Sequence, residues 1–321
     1  MTSSSGSIIA ERILSLPETI WQGDMECIPA IESVSFQSDA LWVFGQHILF
    51  KSRDGVNWEN LAANLRREGS FYVSSVIQGA ADLRIFARTR NGLKCYRWDK
   101  WDSDWKALFS IPTSSPGLFS AWTHSGLVMV AKQNPVAEII CRESDAEDRP
   151  RWRSALPGSA VHLQIALSGI GLCALQEANI TSSSYESHHS AIYSTSDSGQ
   201  NWRLVATMET MLLAGASIDE TAALVGGTGG VLGLVNKCGL LESWKEDGGD
   251  IVAVDAAGDG QIAIIESDDE PAAQSLLFRN GTGNWKRNTA AFDGRVQGIK
   301  LVAPGKCLVC TSQSIYRCQF E

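Results

Sequence analysis

Short apolar runs recur along the chain, and each is followed by small or polar residues. A near-continuous apolar run of this length predicts a strand that is buried on both faces. Several runs end at a small residue, such as Gly45 or Gly226, as the crowded centre of a ring would require. The seven runs span residues 41–44, 83–86, 127–130, 172–175, 222–225, 262–265 and 307–310.

Weaker strand patterns flank these runs, so that each repeat holds four predicted strands. Residues 31–36 and 251–254 are typical first strands, and residues 47–50 and 191–193 are typical third strands. A tryptophan then opens the fourth strand, and a fixed period of about 40–50 residues indicates one repeated supersecondary unit. The tryptophans are separated by 47, 47, 50, 42 and 41 residues, and they are Trp58, Trp105, Trp152, Trp202, Trp244 and Trp285.

The last repeat, residues 296–320, stops after its third strand. The N-terminus can supply the missing fourth strand from residues 12–16 or 19–21, with Trp21 as a seventh tryptophan, and such closure pairs two exposed edges. The chain is therefore predicted to be one all-β domain over residues 1–321, a seven-bladed β-propeller closed by an N-terminal strand. Residues 1–11 are expected to be disordered. A six-bladed ring with a decorated end and a two-sheet sandwich are the alternatives.

The turns before the fourth strands share a local pattern. Residues 195–202 read Thr-Ser-Asp-Ser-Gly-Gln-Asn-Trp, residues 52–58 are one residue shorter, and residues 280–285 keep less of the pattern. In such a turn Asp bonds nearby backbone amides, Gly adopts a positive φ, and Trp packs beneath. A structural role is therefore predicted for Asp54, Trp58, Asp197, Gly199, Trp202 and Trp285.

These turns resemble the Asp-box, or bacterial neuraminidase repeat, whose pattern is Ser/Thr-x-Asp-x-Gly-x-x-Trp. The resemblance implies a β-propeller. In size, blade count and motif density the chain is most similar to the seven-bladed photosystem II assembly-factor type, which implies a non-catalytic propeller that binds a partner. Motif and fold do not determine function, because other proteins with this repeat are enzymes.

Sialidases of this repeat family need an arginine triad with an early Arg-Ile-Pro element and a Tyr/Glu nucleophile pair. This chain has Arg12-Ile13-Leu14 instead, and Tyr193 and Tyr316 fall in predicted third strands, which is typical of packing. A non-catalytic protein-binding propeller, such as an assembly factor, inhibitor or immunity-type partner, is therefore favoured. A glycan-binding or sialidase-like glycoside-processing propeller is the alternative.

Charge narrows the class of partner. The chain has 36 acidic residues against 27 Lys plus Arg, a formal net charge of −9, which argues against nucleic acid and favours a protein with a basic surface. The N-terminus lacks a signal-peptide pattern, and no apolar run approaches the length of a membrane span. A cytoplasmic monomer without membrane association is expected.

The eight cysteines mostly lie inside apolar runs and are predicted to be buried thiols. Cys307 and Cys310 should point to opposite faces of one strand, so that they cannot share a metal. Adjacent histidines such as His188 and His189 rarely chelate one ion, and residues 226–230 read as a hairpin turn rather than a phosphate cradle. No metal or cofactor is predicted.

Two long connections between second and third strands are the candidate partner-binding elements, because loops carry contacts while strands form the scaffold. They span residues 177–189 and 266–274 and should share one face with an inter-blade segment. Tyr185 is the expected anchor, and the acidic residues should raise the association rate. The alternative is that both loops are only solvated. The candidates are Tyr185, His188, His189, Asp268, Asp269, Glu270, Arg66 and Arg67.

Overall fold

The structure is a computed structural model, and its described part consists almost entirely of β-strands. It covers residues 8–22, 25–37, 40–62, 65, 71–78, 83–99, 104–111, 118–123, 126–131, 136–142, 150–177, 189–267 and 273–320. These segments contain no helix long and apolar enough to cross a membrane.

The described strands form seven blades and one short hairpin. The N-terminal elements are β1 (Ile8–Ser15) and the hairpin strands β2 (Ile20–Gln22) and β3 (Met25–Cys27). Blade 1 consists of β4 (Ala30–Gln37), β5 (Ala40–Gln46), β6 (Ile48–Ser52) and β7 (Glu59–Asn60). Blade 2 consists of β8 (Phe71–Gln78), β9 (Leu83–Thr89), β10 (Gly92–Asp99) and β11 (Asp104–Ile111). Blade 3 consists of β12 (Leu118–Thr123), β13 (Gly126–Ala131), β14 (Val136–Arg142) and β15 (Trp152–Pro157).

The second half of the chain repeats the same arrangement. Blade 4 consists of β16 (Ser159–Ile165), β17 (Gly171–Glu177), β18 (His189–Thr195) and β19 (Arg203–Met208). Blade 5 consists of β20 (Leu212–Ser217), β21 (Ala222–Gly227), a 3-10 turn (Thr228–Gly230), β22 (Val231–Asn236) and β23 (Gly239–Lys245). Blade 6 consists of β24 (Asp250–Ala257), β25 (Gly260–Glu266), β26 (Ala273–Asn280) and β27 (Lys286–Ala291). Blade 7 consists of β28 (Val296–Ala303), β29 (Lys306–Thr311) and β30 (Ser314–Phe320), together with β1.

Each blade is an antiparallel sheet whose strands follow one another outward in chain order, except that β1 is the outermost strand of blade 7. The first strands of neighbouring blades contact each other around the whole ring, and β28 of blade 7 contacts β4 of blade 1. One residue pair, Gln46 and Tyr72, also links the sheets of blades 1 and 2. The predicted seven-bladed β-propeller is confirmed.

The N-terminal strand closes the ring as predicted, with a shift in its boundaries. β1 pairs with β30 from Ile8, opposite Phe320, to Ser15, opposite Ser314, and the Leu16 amide then donates to the Gln313 carbonyl at 2.8 Å. Ile8 packs on the blade-7 core, so the expected disorder does not extend over residues 8–11. Residues 1–7 lie outside the described part of the chain.

The second candidate for closure, residues 19–21, is wrong. Ile20–Gln22 pairs with Met25–Cys27 in the separate hairpin, so Trp21 is not the seventh tryptophan of the repeat. The closing strand ends before this point because Pro17 has no amide hydrogen with which to continue the ladder.

All seven apolar runs lie in the second strands of their blades, and nearly every residue in them is buried. These strands are covered on both sides because each blade packs between two neighbours. Val43, for example, belongs to a core shared by blades 1 and 7, whereas Trp42 belongs to a core shared by blades 1 and 2. The prediction of strands buried on both faces is confirmed.

Five of the six period tryptophans lie at the start of their fourth strands or immediately before it. Trp105 and Trp152 lie at the starts of β11 and β15, and Trp58, Trp202 and Trp285 immediately precede β7, β19 and β27. Trp244 instead lies near the end of β23, so the prediction is wrong for blade 5. Its ring meets that of Trp285 edge to face at 6.0 Å, and the buried Arg279 guanidinium lies 4.1 Å from its centroid. Trp244 therefore joins blade 5 to blade 6 instead of supporting a turn.

The thiols follow the sequence-based expectation. Only Cys238 is exposed among the eight cysteines, and all eight are free. Cys307 belongs to the core shared by blades 6 and 7, whereas Cys310 faces the core shared by blades 7 and 1. The C-x-x-C pair therefore points to opposite sides of β29, as predicted.

Candidate functional site

The ring has two faces, which carry different connections between the strands. At the entry face, each inner strand begins and each second strand leads into the third. At the turn face, the first strand turns into the second and the third into the fourth. The Asp-containing turns at residues 52–58 and 195–202 lie on the turn face. The connections that follow Glu177 and Glu266 leave from the entry face.

The turn at residues 195–202 is held together by its own side chains. Asp197 accepts hydrogen bonds from the Thr195 hydroxyl at 2.9 Å and from both the backbone and the side-chain amide of Asn201, at 2.9 and 2.7 Å. Gly199 adopts a φ of 92°, and its carbonyl accepts the Trp202 indole N–H at 2.7 Å. The Ser154 hydroxyl of blade 3 donates to the same carbonyl at 3.0 Å, so the turn also joins two blades.

The turn at residues 52–58 has the same bonding in a shorter form. Asp54 accepts from the amides of Val56 and Asn57 at 2.9 and 2.8 Å, and from the Asn57 side chain at 2.7 Å. The Ser52 hydroxyl accepts from the amide of Gly55, which has a φ of 71°. The sequence predicts this turn despite its missing residue because the groups that bond the aspartate are retained. The Trp58 indole N–H, unlike that of Trp202, is buried without a hydrogen-bond partner in the described part of the chain.

These hydrogen bonds change the acidity of both carboxyl groups. The amides of Asn57 and Val56 hold the pKa of Asp54 well below its usual value. For Asp197, partial burial is the largest single influence and raises the pKa, but the bonds from Asn201, Thr195 and Gln200 together outweigh it and lower the pKa. Carboxylates held in this way stabilise turns and are poor proton donors.

The third turn, at residues 280–285, has no such carboxylate. The Gly283 amide donates to the Asn280 carbonyl at 3.1 Å, and the Trp285 ring packs near Arg279, 5.2 Å from its guanidinium carbon. The contact between Trp285 and blade 5 therefore replaces the Asp-centred bonding.

Most of the predicted partner-binding residues lie outside the described part of the chain, and their role stays a prediction. His189 is the exception: it is the first residue of β18, half-buried and paired with Glu177, rather than an exposed loop residue. Glu266 is the last residue of β25, and its Oε2 forms an ion pair with Arg295 Nε at 2.9 Å. Those outside the described part are Tyr185, His188, Asp268, Asp269, Glu270, Arg66 and Arg67.

A β-bulge recurs in the inner strands at the same level, next to the entry face. In six of the seven described inner strands the register shifts by one residue after the first, second or third position, and β12 alone among these seven is regular. A bulge leaves one residue out of the ladder and changes the direction of its side chain. The bulged residues are Glu32, Ser74, Val161, Leu213, Val252 and Gln297.

Gly45 shows how closely a bulge approaches the second strand of its blade. A Cβ atom at Gly45 would lie 2.6 Å from the amide nitrogen of Glu32, so no other residue fits there without displacing the bulge. The small residue at the end of this apolar run is thus explained by the bulge that it faces.

Five of the bulged residues line a cavity of about 440 Å³ at the centre of the ring. Ser74 does not, because its hydroxyl bonds the Phe86 carbonyl and the Leu118 amide inside the blades. Blades 3 to 6 contribute Phe119, Val161, Leu213 and Val252, which form an apolar arc, and blades 7 and 1 contribute Gln297 and Glu32 opposite it. We call this ring of residues the channel mouth.

The two carboxylates of the cavity are in different environments. Tyr72 of blade 2 hydrogen-bonds Glu32; burial, followed by the charge of Glu32 and this bond, raises the pKa of the Tyr72 phenol. Asp255 is buried deeper and accepts from Lys300 Nζ at 2.9 Å and from the Leu301 amide at 2.6 Å. Burial raises the pKa of Asp255 despite Lys300. Asp255 is thus neutralised within the protein, whereas Glu32 is half-buried and lines the cavity.

The described residues do not contain a catalytic arrangement of the sialidase kind. Tyr316 is buried against Phe292, and Tyr193 packs on the core shared by blades 3 and 4, so both tyrosines pack as predicted. Arg12 lies in the closing strand and bonds Asp293 at 3.2 Å. No group of three or more His, Cys, Asp or Glu in the described segments could hold a metal ion.

Sequence reasoning missed the channel mouth. Glu32 is the single charged residue of β4, which was an available signal, as was the glycine that faces it. The position of Glu32 at the channel depends on a bulge, however. A bulge arises from the pairing between strands, which no single run of residues reveals.

Comparison with known proteins supports the fold alone. No family model matches the chain, and no curated protein sequence matches it. A crystal structure of the WD40 β-propeller domain of Doa1 is 10% identical with a TM-score of 0.61, over 98% of this chain and 97% of that one. YCF48 from Cyanidioschyzon merolae is 13% identical with a TM-score of 0.64, over 97% and 98%. A structure of YCF48 bound to D1 peptide is 15% identical with a TM-score of 0.58, over 98% and 95%. The chain is similar to these propellers along its whole length.

Proposed function

We propose that this protein is a non-catalytic propeller that binds another protein through its entry face. The observation that carries the proposal is the channel mouth, where half-buried apolar side chains and a carboxylate are presented together at an opening. The long connections after Glu177 and Glu266 lead to the same face, two blades apart, so one partner with an interface of standard size can reach both.

The similarity to a YCF48 structure with bound D1 peptide supports a peptide or protein ligand as the class of partner. The identity of that peptide does not carry over at 15% sequence identity. The net charge of −9 favours a partner with basic patches, and we propose the Asp-box repeat family, a cytoplasmic location and a monomeric state as its context.

Within the connections, Tyr185 is proposed as the anchor because aromatic residues dominate binding hot spots. Asp268, Asp269 and Glu270 are proposed to raise the association rate and to make it salt-sensitive. His188, His189, Arg66 and Arg67 complete the proposed surface. The turn face serves stability, since the polar groups of its Asp-containing turns are bonded internally.

A glycan-binding or glycoside-processing propeller remains the alternative class. Tryptophans and several carboxylates clustered at the mouth would favour it. The six period tryptophans lie on or beside fourth strands, away from the channel, and one of the two channel carboxylates is neutralised by Lys300. We therefore favour protein binding over glycan binding or glycoside processing.

The test is comparative affinity purification from extracts of the native host. Wild-type protein, Tyr185→Ala and the Asp268/Asp269/Glu270→Ala triple variant serve as baits, with Ser196→Ala, an exposed position of the turn face, as the matched control. We expect at least one protein to be retained by wild type and by Ser196→Ala and to be depleted with the entry-face variants. The proposal would be rejected if the captured protein were retained equally by wild type and by both entry-face variants and were lost with Ser196→Ala.

A further inference from the structure

The channel mouth combines an apolar arc with one carboxylate on the opposite side. Phe119, Val161, Leu213 and Val252 come from four consecutive blades and line the same cavity, and three of them also pack against cores between the blades. All four are half-buried, and each keeps part of its surface accessible.

Glu32 lies across the cavity from this arc, and no ion pair joins it to a cation within the described segments. None of the lysines and arginines in the described segments forms an ion pair with Glu32, although Lys300 in the same cavity pairs with Asp255. Tyr72 donates one hydrogen bond to the Glu32 carboxylate, which has further acceptor positions beyond this bond. The bulge at Glu32 and the close approach of Gly45 hold this carboxylate at the level of the apolar arc.

We infer that the channel mouth receives the cationic side chain of an arginine or lysine presented by a protein partner. Such a side chain has an apolar stem and a charged head, which match the arc and Glu32 respectively. A purely apolar side chain would bury Glu32 without a compensating bond, and an anionic one would be repelled by it. The inference rests on the proposed function and names the chemistry that this surface recognises.

Gln297 provides the second polar contact. It is the bulged residue of blade 7, it is exposed, and it lies beside Glu32 around the ring. Its side-chain carbonyl can accept a hydrogen bond from a guanidinium or ammonium group. Replacement of Gln297 by Glu would add a second carboxylate at a position that is already accessible, so it offers a gain-of-binding test.

The experiment is a titration followed by NMR of methyl-labelled Val and Leu side chains in the full-length protein. The probe is N-acetyl-arginine methylamide, and the matched control is the corresponding citrulline compound, which has nearly the same shape but no charge. We expect the arginine probe to shift the methyl resonances of Val161, Leu213 and Val252 with saturation. The citrulline compound should bind about tenfold more weakly or worse, the change that follows from loss of a charge-assisted hydrogen bond.

Three variants complete the test. Glu32→Gln keeps the shape of the side chain and should abolish the preference for arginine, whereas Gln297→Glu should strengthen arginine binding several-fold. Glu220→Gln, at an exposed carboxylate of the turn face, should bind as wild type does. Equal binding of the two probes, or an arginine preference that persists in Glu32→Gln, would overturn the inference.

This outcome is distinguishable from failure of the proposed function. A partner captured through the entry face whose binding is unchanged in Glu32→Gln would uphold protein binding and reject the channel mouth as its cation site. Arginine-specific shifts without any captured partner would uphold the cation site and count against the proposed function.

Discussion

Arg12 and Asp293 are 281 positions apart in the chain, yet their side chains meet at 3.2 Å where the ring closes. Asp293 also accepts hydrogen bonds from the hydroxyls of Thr311 and Ser314, and its amide donates to the Tyr316 hydroxyl at 3.2 Å. One aspartate therefore links the N-terminal strand to the last strands of the chain. Because Arg12 is half exposed, this ion pair by itself contributes little, and most of the stability of the closure comes from strand pairing and packing.

Removal of the closing strand should destabilise the whole ring. Deletion of residues 1–16 exposes the edge of β30 and removes Leu16 and the packing of Ile8 from two cores. We expect the free energy of unfolding to fall by about 3–5 kcal/mol, as for the loss of large buried side chains, measured by urea denaturation.

A circular permutant supplies the control for this deletion. Ile8 lies opposite Phe320, so a short loop can attach residues 8–16 after the last strand in a protein that begins at residue 17. The permutant should recover most of the lost stability. Wild-type stability of the deletion variant would show that the strand does not close the ring.

The turn at residues 195–202 should matter for stability and not for binding. Trp202→Ala removes an aromatic side chain that bonds the Gly199 carbonyl and packs on the core of blades 3 and 4, and it should cost about 3 kcal/mol. Asp197→Ala should cost about 1–2 kcal/mol, because the amides that it satisfies are partly exposed. Ser196→Ala in the same turn is the control. Binding of the arginine probe to folded Asp197→Ala should equal that of wild type, and its loss at an unchanged melting temperature would assign the turn a functional role.

Acid should weaken the turn at residues 52–58. The pKa of Asp54 is lowered below the ordinary value of 3.8 by the amides of Asn57 and Val56, so its stabilising effect is fully present above that pH and is lost progressively as the pH falls from there toward the lowered pKa. Wild type should therefore lose more stability between about pH 5 and about pH 3 than Asp54→Asn, in which no charge is lost. Parallel urea titrations at both pH values measure the difference. Equal acid sensitivity of the two proteins would contradict this assignment.

Lys300 should be needed chiefly to neutralise Asp255. Lys300→Met leaves a buried carboxylate without its cation and should cost about 3 kcal/mol at neutral pH, whereas Lys306→Met, at an exposed lysine of the neighbouring strand, should cost little. The pKa of Asp255 is already raised by burial and should rise further in Lys300→Met, so this variant should regain stability relative to wild type as the pH falls and Asp255 is protonated.

A double variant checks this explanation by urea denaturation. Asp255→Asn combined with Lys300→Met removes both charges, and it should be more stable at neutral pH than Lys300→Met alone. If the double variant is the less stable of the two, then Lys300 stabilises blades 6 and 7 by packing rather than by its charge.

The parts of the fold that depend on local pattern could be predicted from the sequence. Apolar runs such as 262–265 predict buried strands, because blades pack on both sides of them. The turn at Asp197 is predictable because its hydrogen-bond partners lie within a few residues of it in the chain. Trp244 was misassigned because its partners, Arg279 and Trp285, belong to the next blade. The channel mouth could not be predicted for the same reason, since residues such as Glu32 and Val252 line one cavity only when the ring has closed.

Binding of a partner at the entry face is the central claim, and site-specific photo-crosslinking in the native host tests it most directly. A photoreactive amino acid is placed at Gln297 or Ser267 on the entry face, and at Ser196 or Glu220 on the turn face, all of which lie outside the core. We predict crosslinks to one or a few polypeptides from the entry-face positions and none above background from the turn-face positions. Crosslinks that arise only from Ser196 or Glu220 would contradict the account.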